Sequence, residues 1–374
     1  MIKVLQSPAP SNPIGGGLTQ TILNNLRFID RSRFKIDFIT FSKERIYNEG
    51  ELNQLGCKVH YLSYLPSENE KQFIYEFNKI LDEGYDALHL NTSWWSGYIM
   101  EELATAHNIP VIIVHAHNSM VVIDEDERRN EAIKIHEELK STFPSDLATH
   151  FLACSTEAAN WLFGEQIQRD RIIIFNNAID TAKFAFKPDV RTLRRKELCM
   201  EDSFIIGHVG TFNYQKNHDM LIEIFKSVCQ FVPNAKLLLI GGGDLRNSIE
   251  DKVNEYNLSE SVIFLGYRKD VHELMQAMDV LVLPSRFEGL PVALIEAQTT
   301  GLKCLASSFV PKDAKLTQNL EFIPDDIALW VGKIIDIAKN PYIRIDMSDA
   351  VAERGYSIKD QVKVLEKIYN NEFA

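Results

Sequence analysis

Residues 280–299 read VLVLPSRFEGLPVALIEAQT. The first four are an unbroken valine and leucine run, which suits a strand buried on both faces. Pro284 and the polar residues behind it end the run. Gly289 allows backbone angles closed to other residues. Pro291 is well placed as the first residue of a helix, Pro291–Thr299. Strand, loop and helix in that order are half of a βαβ unit. The loop falls at the strand's carboxyl end, where open parallel sheets bind ligands. It carries Glu288, and Glu296 follows about two turns down the helix.

The alternation extends in both directions. Around this stretch, strands are expected at Phe204–Val209, Lys236–Ile240, Val262–Leu265 and Lys303–Ala306. Helices are expected at Met220–Phe231, Arg246–Tyr256 and Val271–Met278. Nearer the start, short apolar runs at Ile2–Leu5, Ile36–Phe41, Val59–Leu62, Ala87–Leu90, Val111–Val114, Phe151–Ala153 and Ile172–Phe175 read as strands. Leu18, Ile22, Leu26 and Ile29 share a helical face, as do Phe73, Phe77 and Ile80. A charged helix is expected over Asp124–Lys140. From about residue 184 the chain turns polar, through Lys187-Pro188-Asp189 to Arg194-Arg195-Lys196-Glu197, and reads as a linker. The expected architecture is α/β, with two facing Rossmann-like domains and a cleft between them. The domains are 1–184, joined by the helical tail 358–374, and 185–357.

Composition bounds the function. The chain has 374 residues, 45% of them hydrophobic, and a net charge of -12. That charge argues against nucleic acid as a partner, while a few local donors suffice for a small anion. The five cysteines form no CxxC pair and most lie in apolar segments, so reduced buried thiols and a cytoplasmic setting are expected. The first residues read as a strand rather than a signal peptide. No apolar run approaches the roughly 18–20 residues of a membrane span. The basic residues Arg27, Arg31, Arg33, Lys35, Lys43 and Arg45 leave a peripheral contact with the inner face of the plasma membrane open, although Asp30, Asp37 and Glu44 interrupt them.

The loop and helix start at Glu288–Pro291 offer backbone N–H groups at Gly289 and Leu290 to an anion. Carboxylates at Glu288 and Glu296 suit the vicinal hydroxyls of sugars. The segment Phe287–Ala297 resembles the E-x7-E motif of family-4 glycosyltransferases, the retaining class with the GT-B fold. Gly207-His208-Val209-Gly210 with Lys216-Asn217-His218, the turn Ile240–Asp244, Phe264–Arg268 and Ala277–Ser285 resemble further blocks of that family in the same order.

The resemblance implies a glycosyltransferase that moves a sugar from a nucleotide diphosphate with retention. It implies Lys216 on the phosphates and Glu296 on the ribose, with Glu288 and His117 on the sugar. Gly210, Thr211, Arg268, Gly289 and Leu290 border the donor. Gly15, Gly16 and Gly17 form a glycine-rich loop near the phosphates and acceptor, and His115 is a secondary candidate. The family's usual arginine is replaced by Thr211. Features of Ala148–Gly164 resemble exopolysaccharide and capsule transferases, which implies a UDP-sugar donor and a glycan or polyprenyl-diphosphate-linked oligosaccharide acceptor. No cofactor or metal is expected. Asp124-Glu125-Asp126 fits a metal-binding DxD pattern but reads as an acidic helix start. The alternatives are a non-hydrolysing UDP-sugar epimerase and a non-catalytic binding partner of another transferase. A dinucleotide oxidoreductase is disfavoured, since neither glycine cluster reads as GxGxxG with an acidic residue in register.

Overall fold

A computed structural model describes residues 1–10 and 16–372. Its strands are β1 (Ile2–Ser7), β2 (Phe34–Thr40), β3 (Val59–Tyr61), β4 (Ala87–Thr92), β5 (Val111–Ala116), β6 (His150–Ala153), β7 (Ile172–Ile174), β8 (Phe204–Val209), β9 (Ala235–Ile240), β10 (Val262–Gly266), β11 (Val280–Leu283), β12 (Lys303–Ser307) and β13 (Leu320–Ile323). They form two sheets, ordered β3-β2-β1-β4-β5-β6-β7 and β10-β9-β8-β11-β12-β13. Every neighbouring pair is parallel. Strand order reverses between β1 and β4, and again between β8 and β11. At each reversal the connections leave to opposite faces, so a crevice opens at the carboxyl ends of those strands.

The chain separates into two units. The first holds residues 1–10, 18–177 and 358–372, and the second residues 16–17 and 178–357. In the first, Val4, Phe38, Ile113 and Leu152 from the sheet meet Ile22, Leu23 and Leu26 of the helix Gly17–Phe28. The last helix, Ile358–Tyr369, adds Val362, Leu365, Ile368 and Tyr369 to the same core. In the second unit, Ile206, Leu237, Leu239, Val280 and Val282 pack with Leu221, Ile222, Phe225 and the fully buried Trp330. Each such side chain contributes roughly 1.5–3 kcal/mol on burial.

The polar stretch after residue 184, expected as a linker, contains the helix Pro188–Glu197. It buries no side chain, and arginines hold it instead. Arg191 Nη1 donates to the carbonyls of Gln276, Ala277 and Met278 at 2.7–3.1 Å, and Nη2 to Asp279 Oδ1 at 2.5 Å. Arg195 donates to Ala277 O at 2.8 Å, and Arg344 to Gln276 O and Met275 O at 3.0 Å. Those carbonyls end the helix Val271–Ala277, where no intrahelical donor reaches them and positive charge is favoured. The charges that read as a linker are therefore a cap.

Other expectations shift more modestly. The helix after Glu288 begins at Val292, with Pro291 (φ -74, ψ 106) as its N-cap rather than its first residue. Gly289 is absent from the residues with a left-handed backbone, so its special geometry is not realised. The charged helix runs Asp126–Thr142 and buries Arg129, Ala132 and His136. Cys57, Cys154 and Cys304 are buried, Cys229 is partly buried and Cys199 is exposed. No helix of the described residues is long and apolar enough to cross a membrane. Of the six basic residues read as a lipid surface, Arg27, Lys35 and Arg45 pair with Glu51, Asp37 and Glu49 at 2.6–3.5 Å. Arg33 lies 4.0 Å from Glu366.

Candidate functional site

In the second unit, two loops leave adjacent strands at the reversal point. One follows β8 and the other follows β11. In the first, Asn213 Oδ1 accepts from Lys216 N at 3.2 Å and shapes the turn Tyr214–Lys216. Asn217, at φ 54, then opens the helix His218–Cys229. Its Nδ2 donates to Pro284 O at 3.2 Å. Arg286 N donates to Gln215 O at 2.8 Å, and Arg286 Nη1 to Tyr214 O at 2.6 Å. The two loops are thus sewn together by backbone as well as side chains.

This geometry brings Lys216 and Glu288 into contact, with Nζ 2.6 Å from Oε1. Their side chains are 15% and 5% exposed, so the pair is almost dry. Gln215 Nε2 donates to Glu288 Oε2 at 3.2 Å and to Phe287 O at 3.1 Å. A buried carboxylate needs such partners, since leaving it unpaired costs roughly 3–5 kcal/mol.

Glycine lets the backbones approach. A Cβ on Gly241, at φ +139, would lie 2.0 Å from Gly210 O. A Cβ on Gly210 would meet His208 Nε2 at 3.0 Å and the Lys216 stem at 3.1 Å. The turn after β9 therefore presses directly on the Lys216 loop, which Gly210 N→Ile240 O and Phe212 N→Gly242 O tie down at 3.0 and 2.9 Å.

Beneath the pair lie groups that sequence reading did not single out. His208 Nδ1 donates to Val282 O at 2.8 Å, which leaves Nε2 a bare lone pair without a partner among the described residues. Both ring nitrogens of His218 and the Ser285 hydroxyl are likewise buried and unpartnered among those residues. Burial lowers the His208 pKa to about 4, with the Lys216 charge adding to the effect. Each orphaned polar atom costs roughly 1–3 kcal/mol. They lie at the end of β8, at the start of the helix His218–Cys229 and in the loop after β11, and buried polar atoms of this kind call for a water or ligand partner.

The remaining expected residues are dispersed. Glu296 lies on the helix Val292–Thr299, and no ion pair joins it to Lys216 among the described residues. The residue is half-buried, and desolvation of its carboxyl pushes its pKa up to about 8, partly offset by Lys183. Gly289 and Leu290 are buried. Thr211 is partly buried beside Phe212. Neither nearby arginine takes the vacant role directly. Arg286 lies 4.3 Å over the Tyr214 ring, and Arg268 grips Asp270 bidentately at 2.7 and 2.8 Å.

In the first unit, His115 closes β5 and His117 follows it. Both are buried, with ring centroids 3.9 Å apart. His117 Nε2 lies 2.8 Å from Asn91 Oδ1, and Asn91 Nδ2 donates to Ser7 O at 3.1 Å. The amide oxygen accepts, so His117 carries its proton on Nε2 and keeps a bare Nδ1. Burial lowers its pKa to about 3. It is a neutral hydrogen-bonding group at neutral pH. Gly16 precedes the helix Gly17–Phe28, which Gly17 opens, and Gly15 lies outside the described residues.

Comparison with known proteins bears on the fold and the family. The family described as "Glycosyl transferases group 1" matches residues 189–357. "Glycosyltransferase Family 4" matches residues 15–183. Together the two cover most of the chain, which belongs to the family-4 glycosyltransferases. It is a transferase enzyme of the GT-B fold class, with two Rossmann-like domains. The putative glycosyltransferase EpsF of Bacillus subtilis (strain 168) is 29% identical over 369 residues, covering 95% of this chain and 93% of that protein. The Escherichia coli UDP-Gal:alpha-D-GlcNAc-diphosphoundecaprenol alpha-1,3-galactosyltransferase is 24% identical over 310 residues, covering 80% of this chain and 79% of its own. Among solved structures, Anabaena HepE in complex with UDP and glucose superimposes with a TM-score of 0.76 at 17% identity. It covers 99% of this chain and 100% of that one.

Proposed function

We propose that this chain transfers a sugar from a UDP-sugar to a glycan or lipid-linked oligosaccharide, with retention, during polysaccharide assembly at the cytoplasmic side of a membrane. The observation that carries the reading is the Lys216–Glu288 contact at 2.6 Å, at the carboxyl ends of β8 and β11. An ammonium there meets a diphosphate, and a carboxylate meets sugar hydroxyls. The donor and acceptor classes are supported by the names of similar proteins: a galactosyltransferase acting on a diphosphoundecaprenol-linked sugar, a complex of HepE with UDP and glucose, and a Staphylococcus aureus capsular polysaccharide biosynthesis glycosyltransferase, CapH.

In this reading the diphosphate draws Lys216 away from Glu288, which turns to the sugar. The bond from the anomeric carbon to the phosphate oxygen breaks, and the bond to the acceptor oxygen forms on the same face. The departing phosphate oxygen takes the acceptor's proton. Lys216 stabilises the charge that develops on the diphosphate, a role assigned here to protein groups rather than to a metal. Glu296 holds the ribose, and His117 orients the sugar.

The test is thermal stabilisation by a panel of nucleotide diphosphates and their sugars, followed by release of nucleotide diphosphate with glycan acceptors. UDP and one UDP-sugar should stabilise the protein. Lys216→Met should weaken UDP about 10- to 100-fold, the equivalent of one charge-assisted hydrogen bond. Unchanged binding or turnover in that variant would remove the mechanism. One observation favours a second reading, a non-catalytic binding module: Thr211 supplies no guanidinium, and Arg268 and Arg286 are engaged elsewhere. UDP-sugar binding without diphosphate release, with every acceptor tried, would support it.

A further inference from the structure

A chain of buried rings runs from the C-terminal helix to the end of β5. Tyr369 Oη lies 2.8 Å from His89 Nδ1. His89 Nε2 lies 3.2 Å from His115 Nδ1. The His115 ring is held between His89, stacked at 5.4 Å, and Phe175, edge-on at 5.5 Å, and it touches His117. Tyr369, His89 and His115 are each no more than 2% exposed. His115 Nε2 has no partner among the described residues.

Only two proton arrangements fit these contacts. In one, Tyr369 donates to His89 Nδ1, His89 Nε2–H donates to His115 Nδ1, and His115 presents Nε2–H. In the other, every bond is reversed: His115 Nδ1–H donates to His89, and His89 Nδ1–H donates to Tyr369. The second arrangement strands the Tyr369 proton, because no other acceptor for Oη exists among the described residues, and it strands the His115 lone pair as well. The first leaves a single group unsatisfied. Burial favours the arrangement with fewer orphans.

We propose that Tyr369 is a positioning residue which, acting through His89, fixes His115 as an Nε2–H donor. His117, through Asn91, keeps its Nδ1 as an acceptor. The end of β5 then offers one donor and one acceptor from rings in contact. That combination matches a hydroxyl group, which must accept one hydrogen bond and give another. His115 Nε2 is sealed from solvent, so the occupant is a water enclosed with it, or a sugar hydroxyl once the neighbouring residues move to admit one. This role deepens the transferase reading, since it names what the strand-end histidines recognise. The proton arrangement itself does not depend on transfer.

The experiment is long-range 1H–15N correlation of the histidine side chains in the full chain, labelled with 15N, at neutral pH. Its two variants are Tyr369→Phe and His115→Gln, the second serving to assign the His115 signal. In the unsubstituted protein His89 and His115 should both show the Nε2–H tautomer. In Tyr369→Phe, which keeps the ring that packs in the core, both should move toward mixed tautomers, while His208 and His218 in the other unit stay unchanged. An Nδ1–H pattern for His115 in the unsubstituted protein overturns the proposal, whatever becomes of the variant. So does a His115 signal that ignores Tyr369→Phe. Because no donor sugar is used, a chain with these tautomers but no transferase activity sinks the transferase reading and leaves this one standing.

Discussion

Separating the Lys216–Glu288 pair tests the site where its energetics are most exposed to measurement. At 2.6 Å, with side chains 15% and 5% exposed, the attraction is several kcal/mol at an effective dielectric near 20. Desolvation returns much of that, so the intact pair contributes little net stability. Breaking it is another matter. Lys216→Met leaves the Glu288 carboxylate buried without the ammonium that balances its charge, at a cost of about 3 kcal/mol. Glu288→Gln leaves the ammonium stranded and should cost about 2–3 kcal/mol. The double variant carries no stranded charge and should fall within about 1 kcal/mol of the parent. The coupling energy is then about 4 kcal/mol. Trp330 is the one tryptophan of the second unit and sits in its core. Incorporating 5-fluorotryptophan and following the Trp330 19F resonance through urea unfolding isolates that unit's stability from the other's. If the double variant loses the sum of the two single losses, the residues do not act as a pair, and the reasoning about the site fails at its root.

Other outcomes follow from the same geometry. Glu296 has a raised pKa of about 8 in the folded state, so the folded chain binds more protons than the unfolded one between about pH 4.5 and 8. Its contribution to stability is present at low pH and is lost as pH rises through that window. Glu296→Gln should therefore raise the urea midpoint at pH 8 and change it little at pH 5; equal effects at both would contradict this. His208 has the opposite sign: its folded pKa of about 4 costs stability as pH falls below about 6.5. His208→Gln should flatten the stability profile between pH 6.5 and 4.5 by about 2 kcal/mol, read from denaturation midpoints. Gly241→Ala puts a methyl 2.0 Å from Gly210 O at φ +139. It should cost at least about 2 kcal/mol and abolish stabilisation by UDP in a melting assay; retention of both would show that the turn can move aside.

The sheets were legible in the sequence because their signal is local. Strands such as Val280–Leu283 and Val111–Val114 are short apolar runs between turn residues, and burial on both faces leaves no other reading. The strand Leu320–Ile323 and the helix Ile327–Lys339 were not read, since Glu321 and the mixed polarity around it blur the period. The arginines of Pro188–Glu197 misled for a physical reason. Their partners are carbonyls about 85 residues away, so their charge looked solvated until the fold brought a helix end to them. Lys216 and Glu288, 72 residues apart, were singled out through motif resemblance, and the structure brings them into contact. Gly289 attracted attention that belonged to Gly241, because a sequence records where glycine occurs and not which glycine adopts a left-handed backbone. His89 and Tyr369 carry no sequence signal at all, being 280 residues apart in unremarkable surroundings.

The closing helix has a consequence for how the molecule is made. Residues 358–372 complete the unit whose strands β1 to β7 are all made before β8, the second unit's first strand. Until the final turn is synthesised, Phe34, Leu26 and Phe175 lack the covering that Val362, Leu365 and Ile368 provide. The second unit, drawn almost wholly from residues 178–357, can finish while the first still waits with apolar surface open to solvent. A chain cut short near residue 357 would thus damage the half of the protein farthest from the cut in sequence, and a stop codon there would act as a lesion in the amino-terminal core.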